Sequence, residues 1–492
     1  MKNLLASAAA LAVALALPGC KAEIVCAAGQ SLCGDRCVST DVDAANCGGC
    51  GVRCGTHQQC DAGACACADG ATSCGGACVD LTTDPGHCGA CDRACGGTDT
   101  CRADGVLGTG CAAACPEGTF ACDRACVVRA SDPFNCGACG NECRRGESCR
   151  AGTCAPDLYV ACFATDDVRP VSAGLRSGIP QPAGDGPVYL AVDGPRLHVS
   201  SSLSHSVTTF GAPLRDPGYE HLLGAGDLEN LTMHGGRLYV SNSDAGTLVV
   251  MRGDTGEFVD EVVLSPRAGS NPRATAFVGD TAYVALAGKD AESGGQEIAV
   301  VDFSGPRGVV TQRISLASLA SPGALANPTG VAAVGDRVYV TTANLGLGPY
   351  GYTEPAGPSK LAVIDSLDPD ALSSIDLGAA CQNAGGIAAQ GTTLWVACSW
   401  FATPSFERIA SVIPVDVSGG TPIVGTPIDV ASAGVWSPWS VAFCRGMGYV
   451  TDSWSGQVAR FDPTGATSTV AAGVCPAGSA GWAMAADIAC GP

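Results

Sequence analysis

Between Cys26 and Cys154 the cysteines repeat one eight-position spacing three times over. The copies run Cys26, Cys33, Cys37, Cys47, Cys50, Cys54, Cys60, Cys65; then Cys67, Cys74, Cys78, Cys88, Cys91, Cys95, Cys101, Cys111; then Cys115, Cys122, Cys126, Cys136, Cys139, Cys143, Cys149, Cys154. In each, the first six gaps are 6, 3, 9, 2, 3 and 5 residues, and only the last changes, from 4 to 9 to 4. Such agreement marks an internal repeat. The residues between are largely Gly, Asp and Ala, so a unit has almost no apolar core and must be stapled. Paired Cys-x-x-Cys spacings also suit tetrahedral zinc, but an oxidising compartment favours disulfides, and disulfides are the expectation. Spacing leaves the pairing open, since eight cysteines allow about 105 connectivities. The units are expected as rigid beads, three in series forming a spacer.

The start of the chain places it outside the cytoplasm. Lys2 precedes an apolar run from Leu4 to Leu17, too short and too terminal for a stable span. Leu17-Pro18-Gly19-Cys20 then resembles a bacterial lipobox, although Pro18 stands where the family has a small residue. The resemblance implies lipidation of Cys20 as the first mature residue, and Lys21 rather than Asp after it implies the outer membrane, on its periplasmic or surface side. Parity agrees: of 31 cysteines, giving Cys20 to lipid leaves an even number to pair. The alternative is ordinary cleavage with Cys20 as one more disulfide partner. A net charge of −20 argues against nucleic acid and against electrostatic adhesion to anionic headgroups. Asp132-Pro133-Phe134-Asn135-Cys136-Gly137-Ala138-Cys139, with its counterparts around Asn46 and His87, resembles the Stig1-like cysteine-rich repeats, similar to those of bacterial surface lipoproteins.

From Asp157 the composition shifts to Val, Thr, Leu and Ile, and a second beat begins. An aromatic or His followed by Val recurs at Tyr159, His198, Tyr239, Tyr283, Tyr339, Trp395 and Tyr449, at intervals of 39 to 56 residues. That is the length of a four-stranded blade with insertions. Gly194, Gly235, Gly279, Gly335 and Gly391 each stand four residues before the aromatic, as a two-residue hairpin turn requires; Arg445 takes that place once, with Gly446 expected to serve instead. Apolar runs that end in Asp302, Asp365, Asp416 and Asp462 predict Asx turns, with a metal site as the less favoured reading. Leu238-Tyr239-Val240-Ser241-Asn242 and Val338-Tyr339-Val340-Thr341-Thr342 resemble the YVTN propeller repeats. Tyr159 has no inner strand ahead of it, and 481–489 reads as an inner strand with nothing after it. The expectation is an all-β fold, a seven-bladed β-propeller closed by N- and C-terminal strands of one blade and preceded by small disulfide-rich repeats. The domains are then 1–19 signal peptide, 20–25 lipidated tether, 26–154 cysteine-rich repeats and 157–492 propeller.

Six cysteines remain. Cys381 precedes the fifth blade's inner strand and Cys398 follows its aromatic-Val beat, and Cys475 and Cys162 hold the same places in the closing blade. Cys381–Cys398 and Cys162–Cys475 are therefore expected, leaving Cys444–Cys490 at matching inner-strand ends of neighbouring blades, with Cys162–Cys490 as the rival. Trp400, Phe401, Trp436, Trp439, Trp454, Tyr350 and Tyr352 fall in or beside loops of one face. They are either inter-blade filling or an aromatic recognition face for glycan or protein. Asn230, Asn271, Asn327 and Asn383, near the inner-strand starts, read as turn formers or as a ring at the channel mouth. No nucleophile elbow, zinc-protease helix, phosphate loop or dinucleotide fingerprint occurs. A binding or scaffold role for an unknown envelope or extracellular partner, without cofactor, metal or catalytic residues, is therefore expected. The alternative is a lactonase-type propeller hydrolase, which would need Glu, Asp and Asn clustered at the channel.

Overall fold

The computed structural model describes residues 26–491 apart from 27–29, 35, 105–107, 215–217, 225, 268, 289–294, 349–350, 403–406, 465–467, 479–480 and 482. The expected lipidation site Cys20 lies outside the described residues. In all three cysteine units the first cysteine bonds to the third, the second to the fifth, the fourth to the seventh and the sixth to the eighth. The third unit shows the pattern as Cys115–Cys126, Cys122–Cys139, Cys136–Cys149 and Cys143–Cys154. The first two units repeat it. Every sulfur in the described units is thus committed to a disulfide, and none is left as the thiolate a zinc site needs.

The units do not run in series as a spacer. The His57 ring of the first lies 4.2 Å from Phe134 of the third, and Arg145 of the third reaches Asp61 of the first at 3.0 Å. The second and third share a parallel bridge, Cys101 beside Ala125. Without cores of their own, the units bury what apolar surface they have against one another.

After Asp157 the described residues build seven antiparallel four-stranded sheets, one of them joined by an extra two-residue strand. The first sheet opens with inner strand Pro187–Asp193, the second with Leu228–His234, the third with Pro272–Val278, the fourth with Pro328–Val334, the fifth with Ala384–Gln390 and the sixth with Pro438–Cys444. The closing sheet takes Leu158–Cys162, Asp167–Val171 and Gln181–Pro182 from just after the cysteine units and its inner strand, Ala485–Cys490, from far later in the sequence. Between the fourth sheet's second and third strands, Leu345–Gly348 and Gly351–Pro355 form a hairpin that pairs with Ala324–Leu325. The architecture is all-β and of β-propeller type.

The recurring aromatic explains how the sheets stack. Each stands on a second strand, is almost wholly buried, and in six of seven sheets packs against the next sheet. Tyr283 joins Val338 and Val340, Tyr339 joins Leu394 and Val396, and Trp395 joins Val441 and Val450. Tyr449 joins Leu158 and Val160, and Tyr159 joins Leu197 and Val199. His198 is the exception and hydrogen-bonds the Thr209 hydroxyl at 2.9 Å. The two-residue hairpins hold too. A Cβ on Gly279 or Gly335 would meet nothing within 4 Å, so glycine is favoured there for its φ of +56° or +60° rather than for space. At the sixth hairpin Arg445 itself takes φ +54° with Gly446 at +83°, so Gly446 accompanies the arginine in the left-handed region instead of replacing it. The amide two residues beyond each of Asp302, Asp365, Asp416 and Asp462 donates to its carboxylate at 2.8 to 3.0 Å, which makes each an Asx turn.

The cysteine region docks on the hairpin face, at the closing sheet. Arg176 meets Asp69 at 2.7 Å, and Arg145 donates to the Ser177 carbonyl at 2.8 Å. Disulfides join Cys162 to Cys475, Cys381 to Cys398 and Cys444 to Cys490; the rival Cys162–Cys490 is not formed. In the chain-entropy account a disulfide's contribution grows from about 3 kcal/mol for a 15-residue loop to about 4.7 for 100 residues. Cys162–Cys475 spans 313 residues and Cys381–Cys398 only 17. Replacing the first pair by alanine should therefore cost about 2–3 kcal/mol more than replacing the second, measured by denaturant midpoint without reductant; equal or inverted losses would contradict this.

Candidate functional site

Each inner strand starts on the face opposite the docked cysteine units, and each starts the same way. An anchor residue pairs with the second strand, one extra residue enters the ladder, and the register resumes at the third or fourth residue. The segments include Pro187-Val188-Tyr189-Leu190, Leu228-Glu229-Asn230-Leu231, Pro328-Thr329-Gly330-Val331 and Pro438-Trp439-Ser440-Val441. Pro272-Arg273-Ala274-Thr275, Ala384-Gly385-Gly386-Ile387 and Ala485-Ala486-Asp487-Ile488 complete the set. A bulge re-aims the side chains around it, and such bulges gather at rims and sites. Proline suits the first position because it has no N–H to give the ladder.

The third residues of these segments line a cavity of about 160 Å³ where the inner strands converge. Tyr189, Asn230, Ser440 and Asp487 form its polar sector, and Ala274, Gly330 and Gly386 its small sector. Strands approach closely on the small side: a Cβ on Gly386 would lie 2.5 Å from the Trp439 carbonyl oxygen, and one on Gly330 would lie 3.0 Å from that of Gly385. Above the cavity a wider cleft of about 700 Å³ is walled by Glu229, Arg273, Trp439 and Asp227, with Asp244, His205 and Ser453 from the loops. Trp439 belongs to both walls, as does Tyr189.

Asp487 is 8% exposed and ties three inner strands together. It accepts from the Leu190 amide at 2.8 Å and from the Ser440 hydroxyl. Burial pushes its carboxyl up to about 6, against the lowering effect of these donors. Tyr189, beside it, is raised above the usual phenol range by burial first and Glu229 second. Glu229 and Arg273 pair at 2.9 Å. His205 donates from Nδ1 to the Gly226 carbonyl at 2.6 Å, and buried His198 is held down to about 4 by desolvation.

A second aspartate presents the tryptophans. Asp452, wholly buried, accepts from the amides of Trp436 at 2.8 Å, Ser437 at 3.2 Å and Trp454 at 2.9 Å, and from the Ser455 hydroxyl at 2.5 Å. One carboxylate thus fixes two loops and leaves Trp454 72% and Trp436 42% exposed.

The expected aromatic face divides accordingly. Trp439 walls the cleft, Trp436 and Trp454 stand exposed on the same face, and Trp400 is partly buried on Thr393–Ala402. Phe401 and Tyr352 lie on strands with side chains outside the described residues, as does Tyr350 altogether. Of the four asparagines, Asn230 lines the cavity, whereas Asn271 and Asn327 take φ +50° and +48° before proline as turn formers. Asn383 accepts at its backbone carbonyl from the Ser399 amide. Asp487, Tyr189, Glu229 and Arg273 escaped the sequence reading, although the repeated anchor-x-x-apolar start carried the signal. Among the described residues, the groups of three potential metal-ligand atoms within 4.8 Å of one another are cysteine triplets, all in disulfides. No three carboxylates of the mouth among the described residues reach that spacing.

The Stigma-specific STIG1-like protein family model matches residues 103–157, which hold the third cysteine unit. No curated protein matches the chain. Among solved structures, a protein of unknown function from Desulfotomaculum acetoxidans DSM 771 is 11% identical, with a TM-score of 0.49, covering 68% of this chain and 99% of that one. Kuenenia stuttgartiensis hydrazine synthase is 18% identical, with a TM-score of 0.44 and coverages of 56% and 76%. A virginiamycin B lyase from Staphylococcus aureus is 13% identical, with a TM-score of 0.42 and coverages of 57% and 82%. None is close enough to carry chemistry across.

Asp487 gives a pH test. Its folded pKa of about 6 stands above the ordinary 3.8, so the folded state holds the proton more tightly than the unfolded state. Its contribution to stability is complete below about pH 4 and is lost as pH rises through about 6, on the order of 2–3 kcal/mol in all. Unfolding free energies measured from pH 4 to 7 should show that loss in the native chain and not in Asp487→Asn. Parallel curves would place the shift elsewhere.

Proposed function

We propose that this chain is an exported lipoprotein, diacylated at Cys20 and held at the outer membrane, whose seven sheets are the blades of one closed propeller and whose mouth face binds an envelope or extracellular partner. Closure is supported by the apolar clusters, which pass from sheet to sheet and include both the sixth-to-closing and the closing-to-first pairs. Fifteen disulfides among the described cysteines favour an oxidising compartment. The binding reading rests on one observation above the others. The bulged starts put Tyr189, Asn230, Glu229, Arg273, Trp439 and Asp487 on one sector of the mouth, whereas the opposite sector is glycine and threonine sealed by backbone contacts. A merely structural ring would not need that asymmetry. With the cysteine units on the opposite face, the mouth is unobstructed by them.

A hydrolase is the second reading, favoured by Asp487, a carboxyl near 6 inside a cavity. The exposed Trp436 and Trp454 on the same face support binding instead.

Immobilised mature chain should capture a component from envelope proteins or cell-surface glycans, and a Trp436→Ala/Trp454→Ala variant should lose most of it. Capture that survives in this variant moves binding off the mouth face. Lactone or ester hydrolysis abolished by Asp487→Asn, with or without calcium, would replace the binding reading with the hydrolase.

A further inference from the structure

Shape limits what can enter the mouth. The cleft of about 700 Å³ narrows to a cavity of about 160 Å³ with Asp487 in its wall, a funnel rather than a groove. A funnel admits the end of a chain and excludes its middle. Charge limits the ligand further. The described lining carries Asp227, Glu229, Asp244 and Asp487 but a single guanidinium, Arg273, which pairs with Glu229, within a chain of net charge −20. An anionic chain end would be repelled, and a cationic one drawn in. The walls add a flat aromatic, Trp439, with Trp454 exposed beside Ser453 at the rim and its loop fixed by Asp452. Aromatic faces held rigid beside carboxylates suit an ammonium by cation–π attraction as well as by charge. The inner sector offers Asn230, Ser440 and the Tyr189 phenol, groups that exchange hydrogen bonds with hydroxyls.

We infer that the mouth takes the terminal amine-bearing sugar of a glycan, entering end-on, with its ring against the tryptophans, its ammonium among the carboxylates and its hydroxyls toward the inner ring. The inference rests on the binding reading above. A sugar is favoured over a lysine side chain because its ring lays a flat C–H face on Trp439 beside the ammonium and its hydroxyls can both donate to and accept from Asn230 and Tyr189, whereas an alkyl chain offers neither.

Calorimetry on the full mature chain tests this with three probes: a β-1,4-linked glucosamine tetramer, its N-acetylated counterpart and tetralysine. Two variants outside the buried network accompany them, Trp454→Ala and Asp244→Asn. The glucosamine tetramer should bind, weaken about tenfold in Trp454→Ala and several-fold in Asp244→Asn, and weaken with added salt. The N-acetylated tetramer should bind at least about tenfold less well, having lost the positive charge. Equal binding of the acetylated form would overturn the inference, as would glucosamine binding insensitive to both variants. Binding of tetralysine in place of glucosamine makes the ligand a basic peptide and overturns the sugar. If no probe binds, the inference fails, and the capture experiment separates the cases. Capture lost in Trp436→Ala/Trp454→Ala leaves a binding mouth with another ligand, whereas capture unaffected there removes the mouth-face reading as well.

Discussion

The Asp157 carboxylate sits where the cysteine region, the first strand of the closing sheet and the sixth hairpin meet. It is 2% exposed, yet two guanidinium groups converge on it, Arg150 from the third cysteine unit and Arg445 from the hairpin, the latter at 2.8 Å. The Ser148 hydroxyl and the Ala173 amide fill its second oxygen at 2.6 and 2.7 Å. Its own backbone receives Gly491 and donates to Val171, which places it in the seam where Leu158–Cys162 and Ala485–Cys490 share a sheet. A buried carboxylate so surrounded is costly to disturb, because removing it takes the shared partner from two half-buried guanidiniums and leaves the Ser148 hydroxyl and Ala173 amide without their acceptor. The left-handed Arg445, in a place that glycine fills elsewhere, is accounted for by this contact.

Three aspartates therefore divide the work of the closing region. Asp157 fixes the docked face, Asp487 ties the sixth, closing and first inner strands at the cavity, and Asp452 sets the two tryptophan loops. The disulfides Cys162–Cys475 and Cys444–Cys490 bracket the same region. Cross-links, buried carboxylates and polar mouth residues thus concentrate around the sheet that holds both Leu158–Cys162 and Ala485–Cys490, and the far side is lined by glycines in close contact. This arrangement couples the rigidity of the seam to the shape of the candidate site.

Much of the fold was legible because it repeats. The aromatic-Val beat names the second strands, since an inter-sheet position must be filled in nearly every sheet by a side chain of similar size. The hairpin glycines were legible for the same reason, through their positive φ. The three cysteine units announced themselves by spacing, but spacing is indifferent to pairing, and their mutual packing through His57, Phe134 and Arg145 depends on single contacts with no period. The mouth was legible only in part. Exposed Trp436 and Trp454 could be suspected from loop aromatics, whereas Tyr189, Glu229 and Asp487 stand within strands where alternation predicts core or surface. The extra residue at each inner-strand start breaks that alternation and turns them toward the channel.

The most direct measurement is hydrogen exchange on the native chain and on Asp157→Ala, followed by mass spectrometry. If the carboxylate locks the docked units and the seam together, protection in the variant should fall jointly across 148–162 and 485–490, while the second and third sheets keep theirs. Loss confined to the few amides beside residue 157, with 485–490 unchanged, would contradict the account and leave the two regions as independent bodies.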